Sequence, residues 1–209
     1  MIAVLVTNTK GGCGKTTIAT NLAAAFAASR LATALANVDR QRSAMQWLAV
    51  RPPHLPAITG LDWRKEIGAV PGGVQRLVID APAGLRLRQV DQLLTGCDVV
   101  LVPVQASAFD LASTRRFLER LGELKPVRKQ CKGVLLVANR VRPRTRAGRR
   151  LDEALAELDH PVAARLGDRA LYAELGATGL GVFDLGGTAA ADARREWLDL
   201  VRAVESAVA

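Results

Sequence analysis

The sequence predicts an α/β fold in which a mostly parallel, twisted sheet carries helices on both faces. Short apolar segments of strand length alternate along the chain with longer segments of helical period. The apolar segments are continuous runs, which is typical of strands that are buried on both faces. With 209 residues, 49% of them hydrophobic, we expect a single domain over 1–209 that buries a substantial core.

The elements are predicted in chain order from these runs and from the turn residues between them. The predicted strands span 2–6, 32–38, 77–80, 98–104, 133–138 and 162–166. The predicted helices span 18–29, 43–50, 87–94, 111–124, 146–158, 171–175 and 189–208. Prolines predict a loop over 51–60, 61–70 is ambiguous with a short helix as one interpretation, and 176–187 is a glycine-rich loop.

The segment 8–17, between the first strand and the first helix, has the pattern of a phosphate-binding loop. Its glycines have no Cβ, so the backbone can turn sharply and bring its N–H groups close to an anion. These are Gly11, Gly12 and Gly14. A helix that starts near Lys15 adds the positive end of its dipole, and the Lys15 ammonium suits the β- and γ-phosphates. The Thr16 hydroxyl suits Mg2+, so a nucleoside triphosphate with Mg2+ and a three-layer P-loop NTPase fold are predicted.

One position departs from a plain P-loop, because Thr9 replaces its first glycine and Lys10 follows. Lys-Gly-Gly-x-Gly-Lys-Thr-Thr resembles the deviant Walker A loop of the ParA/MinD family of ATPases. The resemblance implies that Lys10 crosses the interface of an ATP-bound homodimer to reach the partner's nucleotide, so hydrolysis depends on dimerisation. The predicted nucleotide-binding residues of the loop are Lys10, Gly11, Gly12, Cys13, Gly14, Lys15, Thr16 and Thr17, and the Cys13 side chain is predicted to do no chemistry.

Acidic residues end two of the predicted strands. Asp80 ends a hydrophobic strand, where a carboxylate can hold Mg2+ directly or through a water, opposite Thr16. At the end of the second strand, the ParA family has a motif like Asp-x-Asp-Pro-Gln, whose second acid positions the attacking water. This chain reads Asn37-Val38-Asp39-Arg40-Gln41. The resemblance therefore gives the water-positioning role, and a place in the metal site, to Asp39.

Four polar features fall at the carboxyl ends of predicted strands, where ligands bind in parallel sheets: the loop 8–17, Asp39, Asp80 and Asn139. From its position alone, Asn139 is either a turn residue or a ligand. The resemblance implies that it contacts the adenine base. The run 102–105, with the residues up to 110, resembles the dimer-facing segment of the family.

Positive charge is concentrated in residues 115–150, which hold 13 Lys/Arg and 2 acids, whereas the rest of the chain holds 16 and 18. The excess indicates either a polyanionic partner or a solvated basic face, and its locality favours the partner. The ParA resemblance implies sequence-independent binding to nucleoid DNA. The candidate DNA-binding residues are Arg116, Arg120, Arg142, Arg144, Arg146, Arg149 and Arg150.

A membrane partner is the competing interpretation, because MinD-like relatives bind membranes through a C-terminal amphipathic helix. In 194–205 the polar face mixes acids with arginines, which favours packing on the sheet. With no transmembrane run or signal peptide predicted, we expect a cytoplasmic, nucleoid-associated protein. Cys13, Cys97 and Cys131 are too few and too widely spaced for a disulfide framework or a zinc site, and the latter two are predicted to be small buried side chains.

The sequence thus predicts a small ParA-like ATPase that positions a plasmid, chromosome locus, chemoreceptor cluster or protein microcompartment. A ParB-like or cargo adaptor protein is expected to stimulate its hydrolysis. Two alternatives are a MinD-like membrane switch and a regulatory or assembly factor that binds nucleotide without significant hydrolysis.

Overall fold

A seven-stranded sheet forms the centre of the molecule in the computed structural model, which describes residues 1–129, 132–188 and 190–208, without the side chains of residues 108–110. The strands are β1 Ile2–Val6, β2 Thr33–Asn37, β3 Ile58–Asp62, β4 Arg76–Asp80, β5 Val99–Val104, β6 Gly133–Val141 and β7 Val162–Gly167. The helices are α1 Lys15–Ala28, α2 Ser43–Ala49, α3 Leu87–Thr95, α4 Ala108–Glu123, α5 Lys125–Arg128, α6 Arg146–Ala156, α7 Leu171–Thr178 and α8 Ala191–Ser206, with a 3-10 turn at Val182–Asp184.

The strand order is β3-β2-β4-β1-β5-β6-β7, and every neighbouring pair is parallel. β1 lies between β4 and β5, with Val4 opposite both Val78 and Val99. All parallel strands end at one edge, so the residues that follow β1, β2, β4, β5 and β6 meet at a common rim.

Two hydrophobic clusters cover the two faces of the sheet. Leu5 belongs to the cluster under α3, α4 and α6, while Val4 and Val6 belong to the cluster under α1, α2, α7 and α8. Successive side chains of one strand therefore point into opposite clusters. Because both faces of the sheet are buried, the residues on both faces must be apolar. This arrangement confirms the predicted three-layer α/β fold.

The prediction was wrong at the edge of the sheet. Residues 51–60 were predicted to be a loop and 61–70 to be ambiguous, but β3 begins at Ile58 and pairs with β2 from Thr33 onward. β3 has one partner strand, and only Ile58 and Leu61 of its five residues are half-buried while the rest are exposed, so it lacks the continuous apolar run that identified the other strands. In addition, β6 continues to Val141, which places Asn139 within the strand and not at its end.

The last helix packs on the sheet, as the sequence indicated. Trp197, Leu200 and Val204 of α8 are buried in the cluster beneath it, and the Trp197 indole N–H donates to the Tyr172 hydroxyl at 3.1 Å. Val208, the predicted end of the helix, lies beyond Ser206 and is 40% exposed, and position 189, the predicted start, lies outside the described residues.

Across the described ranges, no helix is both long and apolar enough to span a bilayer, and no cluster of three or more His, Cys, Asp or Glu side chains forms a metal site. Cys97 is buried, as predicted. The matching prediction for Cys131 lies outside the described residues.

Candidate nucleotide site

The loop between β1 and α1 has the backbone shape of an anion cradle. Gly12 and Gly14 adopt φ values of 75° and 93°, in the left-handed region that favours glycine. A Cβ on Gly14 would also overlap the side-chain amide of Asn139, so that position requires glycine. The first bond within α1 runs from the Ile18 N–H to the Gly14 carbonyl at 2.9 Å, so the N–H groups of the first turn point out of the helix N-terminus, where an anion can accept them.

Side chains hold the carbonyl groups of this loop. The Asn139 amide donates to the Cys13 carbonyl at 2.8 Å, and the Gln105 amide donates to the Gly12 carbonyl at 3.1 Å. The Lys15 ammonium, in a residue only 7% exposed, donates to the Lys10 carbonyl at 2.8 Å. Because carbonyl oxygens repel phosphate, tying them to amide and ammonium donors leaves the N–H groups for an anion.

Asn139 thus has a role in this structure that the sequence did not predict, since its amide holds the loop. It is buried, and its carbonyl oxygen accepts from the Arg140 N–H at 3.0 Å. Its contact with the adenine base stays a prediction.

The Cys13 side chain faces into the protein and is 1% exposed, with Sγ 3.7 Å from the Lys15 ammonium nitrogen. Burial raises the pKa of this thiol, and the Lys15 charge opposes the rise. The thiol therefore stays protonated at neutral pH, and the expectation that it does no chemistry stays a prediction.

Asp80 and Thr16 meet although they are far apart in sequence, because β4 lies beside β1 and ends at the same rim. The Thr16 hydroxyl donates to Asp80 Oδ2 at 2.8 Å. Asp80 is 0% exposed, and its Oδ1 has no hydrogen-bond partner among the described residues. A buried carboxylate oxygen without a donor, next to a hydroxyl oxygen, is the ligand chemistry that Mg2+ prefers, so these residues fit the ion.

Burial raises the pKa of Asp80 to about 7, and the negative charge of Asp39 adds to the rise, while Thr16 and Lys15 oppose it. In the unfolded chain the group titrates near 3.8. Between about pH 4 and pH 7, the native state therefore holds a proton that the unfolded state releases, and raising the pH through this window lowers the stability. Each pH unit within this window lowers the free energy of unfolding by at most about 1.4 kcal/mol.

We expect Asp80→Asn, which keeps the shape and removes the charge, to abolish this part of the pH dependence. In buffer with a chelator, the thermal midpoint of the wild type should fall relative to that of Asp80→Asn between pH 5 and pH 8. Adding Mg2+ at pH 8 should raise the midpoint of the wild type alone. Parallel pH profiles, or equal responses to Mg2+, would contradict the assignment of Asp80.

Asp39 lies half-buried just after β2, in a turn that two side chains fix. Asp39 Oδ1 accepts from the Gln41 N–H at 2.9 Å, and the Asn37 amide donates to the Asp39 carbonyl at 2.8 Å. Asn37 is fully buried and lies opposite Asp80 in the register of β2 and β4. An acid at position 37 would bring a second buried carboxylate beside Asp80, and asparagine avoids that repulsion.

The seven candidate DNA-binding residues are exposed and lie on two elements that start at the same rim. We call this set the arginine surface: Arg116 and Arg120 on α4, and Arg142, Arg144, Arg146, Arg149 and Arg150 on or before α6. The Arg142 guanidinium is paired with Asp168 at 2.6 Å, so it contributes less free charge than the sequence suggested. The last three lie in the first two turns of α6, where the helix dipole adds positive potential to their own.

Residues that the sequence did not single out also belong to this rim. Asn8 lies after β1, and its side-chain amide binds the Lys10 N–H and the Pro103 carbonyl. Gln105 lies after β5, and its side-chain amide binds the Gly12 carbonyl. The sequence indicated Gln105 only as part of a dimer-facing segment. In the sequence, only their positions just after predicted strands indicated that Asn8 and Gln105 could lie at the rim.

The chain matches a known family of nucleotide-binding proteins over most of its length. Residues 4–182 match the CobQ/CobB/MinD/ParA nucleotide binding domain, and the chain belongs to this family of nucleotide-binding ATPase domains. The resemblance to the ParA/MinD ATPases, read from the deviant loop, is therefore confirmed.

Individual relatives include proteins of carboxysome distribution and of cell division. The chain is 30% identical over 196 residues to "Maintenance of carboxysome distribution protein A" of Halothiobacillus neapolitanus, covering 90% of each chain. Among solved structures, the MinD cell division protein of Aquifex aeolicus superposes with a TM-score of 0.77 at 14% identity, over 99% of this chain and 97% of that one. The ATP complex of a Cyanothece McdA variant gives 0.69 at 15% identity, over 99% and 95%. These likenesses show that the fold is shared.

Proposed function

We propose that this protein is a ParA-like ATPase that forms an ATP-dependent sandwich dimer, binds DNA without sequence preference and hydrolyses ATP to position a cargo. One observation carries the proposal. A phosphate cradle that contains the second lysine, Lys10, lies at the same rim as the Thr16–Asp80 pair and Asp39.

Each residue then has a defined task. The N–H groups of the loop and Lys15 bind the phosphates, and Thr16 and Asp80 hold Mg2+, with Asp39 close enough to influence the Asp80 charge. Bound Mg2+ would neutralise charge on the phosphates. Asp39 orients the attacking water, while Lys10 of each subunit stabilises the charge that develops on the partner's nucleotide. Such catalysis depends on positioning, so a slow and partner-stimulated turnover is expected.

The proposed cargo is a protein microcompartment of the carboxysome type. The support is the relative in Halothiobacillus neapolitanus, which the chain matches over 90% of both lengths, and a second carboxysome distribution protein in Gloeobacter kilaueensis, 35% identical over 116 residues. We propose a cargo adaptor protein, with a role like that of ParB, as the partner that stimulates hydrolysis. The protein would then act in the cytoplasm, on the nucleoid.

DNA is the proposed matrix because the arginine surface is exposed, local and close to the nucleotide rim. Neutralising phosphates releases counterions, so binding should weaken as salt rises. Two copies in one dimer double the contacts, which couples ATP binding to DNA affinity. The membrane alternative is weakened by the burial of Trp197, since the apolar face of α8 is already packed on the sheet.

The arginine surface predicts the outcome of a charge reversal. Arg144→Glu, Arg146→Glu and Arg149→Glu together should weaken ATP-dependent binding to random-sequence DNA at least tenfold, an order-of-magnitude estimate, and make the salt slope shallower. Binding is measured by retardation across a salt series.

The matched control reverses three exposed arginines on α3 and α8, Arg88, Arg195 and Arg202, and should leave DNA binding closer to that of the wild type. Equal losses of DNA affinity in the two triple variants would indicate that binding depends on the net charge of the protein and not on the arginine surface. Sedimentation with anionic liposomes and ATP tests the membrane alternative, which requires the protein to pellet.

A further inference from the structure

The loop is anchored at its start by a buried asparagine that no motif identifies. Asn8 is 1% exposed. Its amide nitrogen donates to the Pro103 carbonyl at 2.8 Å and to the Thr114 hydroxyl at 3.0 Å. Its carbonyl oxygen accepts from the Lys10 N–H at 3.3 Å and from the Thr9 hydroxyl at 3.4 Å. Both donor positions and both acceptor positions of this amide are therefore used.

These contacts join the loop to two distant elements. Pro103 belongs to β5, and Thr114 belongs to α4 and is itself 1% exposed. A second bridge runs beside the first, since the Thr9 and Ser113 hydroxyl oxygens are 3.3 Å apart. The same helix carries Arg116 and Arg120, which share a groove of about 380 Å³ with Thr9 and Ser113. The start of the loop is thus tied to the helix that carries part of the arginine surface.

We propose that Asn8 and Thr114 are positioning residues that fix the backbone of Lys10 and couple the phosphate loop to α4. The role of Lys10 on the partner's nucleotide rests on the proposed function. A lysine side chain is long and loses much rotamer freedom when it is held in place. A fixed backbone reduces the volume that the side chain must search, and a displacement of about 1 Å at a catalytic group can cost a hundredfold in rate.

A substitution at Thr114 removes the hydrogen bond from Asn8 to α4, which we call the tether, without changing a residue of the nucleotide site. Thr114→Val keeps the shape and removes the hydroxyl that Asn8 uses, while Thr114→Ser keeps the hydroxyl and serves as the matched control. We expect Thr114→Val to lower kcat for ATP roughly tenfold, with the nucleotide Kd of the monomer changed no more than about twofold. Exchange of the Lys10 amide hydrogen should become roughly tenfold faster. Thr114→Ser should resemble the wild type in all three measurements.

The proposal would be overturned by a Lys10 amide that exchanges at the wild-type rate in Thr114→Val, or by a serine control that behaves like the valine variant. A loss of nucleotide affinity as large as the loss of kcat would also overturn it, because that pattern indicates general damage to the loop. Failure of the proposed function is separate. If the wild type hydrolyses no ATP, the catalytic role of Lys10 falls, and amide exchange alone decides whether the tether exists.

Discussion

Replacing Lys15 with alanine should abolish measurable nucleotide binding. The Lys15 ammonium is almost buried inside the loop and bonded to the Lys10 carbonyl, so it lies where phosphates would be bound. Its removal takes away a charge-assisted bond to the phosphates and leaves a carbonyl without its donor. We expect the Kd to rise at least a hundredfold, which corresponds to about 2.7 kcal/mol.

Titration with a fluorescent ATP analogue and Mg2+ measures this change. Lys65→Ala, at an exposed lysine that follows the edge strand β3, is the control and should bind as the wild type does. Thermal unfolding verifies that both variants are folded. A Kd of Lys15→Ala within a few-fold of the wild-type value would place the nucleotide elsewhere.

Replacing Lys10 with alanine should give the opposite pattern, normal binding with lost turnover. Within one subunit the Lys10 backbone carbonyl bonds to Lys15, and alanine preserves that carbonyl. Monomer affinity for nucleotide should therefore stay within about threefold of the wild-type value. If Lys10 acts in trans as an arginine finger does, steady-state hydrolysis should fall at least roughly a hundredfold.

Hydrolysis is measured as phosphate release over a range of protein concentrations, because a dimer-dependent reaction rises more than linearly with concentration. Asp39→Ala should also lose turnover, because the attacking water is no longer oriented, while the dimer interface is unchanged. Unchanged turnover in Asp39→Ala, together with a negligible wild-type rate, would favour the regulatory factor that binds nucleotide without hydrolysis.

The sequence predicted the central part of the sheet because its strands carry a strong local signal. β1 and β5 are continuous apolar runs, and β4 has the apolar run 77–79 between Arg76 and Asp80, as expected of strands that are buried on both faces. β3 gave no such signal because an edge strand is half exposed and Gly60 interrupts it. What identifies β3 is its pairing with β2, and pairing depends on residues that are distant in the chain.

The candidate site likewise contains residues that a local sequence signal identifies and residues that only contacts between distant parts of the chain identify. Gly14 could be predicted because one residue type fits its backbone, and Asp80 could be predicted because it ends a hydrophobic strand. The tether from Asn8 to Thr114 could not be predicted, because a side-chain bond across 106 positions leaves no periodicity and no motif. Arg142 shows the reverse case, since its charge was counted in the sequence but its ion pair with Asp168 appears only in the fold.

We propose above all that Lys10 completes the nucleotide site of a second copy of the chain. Sedimentation velocity with ATP and Mg2+ tests it most directly, using Asp39→Ala to slow hydrolysis and hold the ATP-bound state. We predict that Asp39→Ala sediments as a dimer with ATP and as a monomer with ADP, while Asp39→Ala combined with Lys10→Ala stays a monomer with either nucleotide. A double variant that dimerises with ATP as fully as Asp39→Ala would contradict the claim.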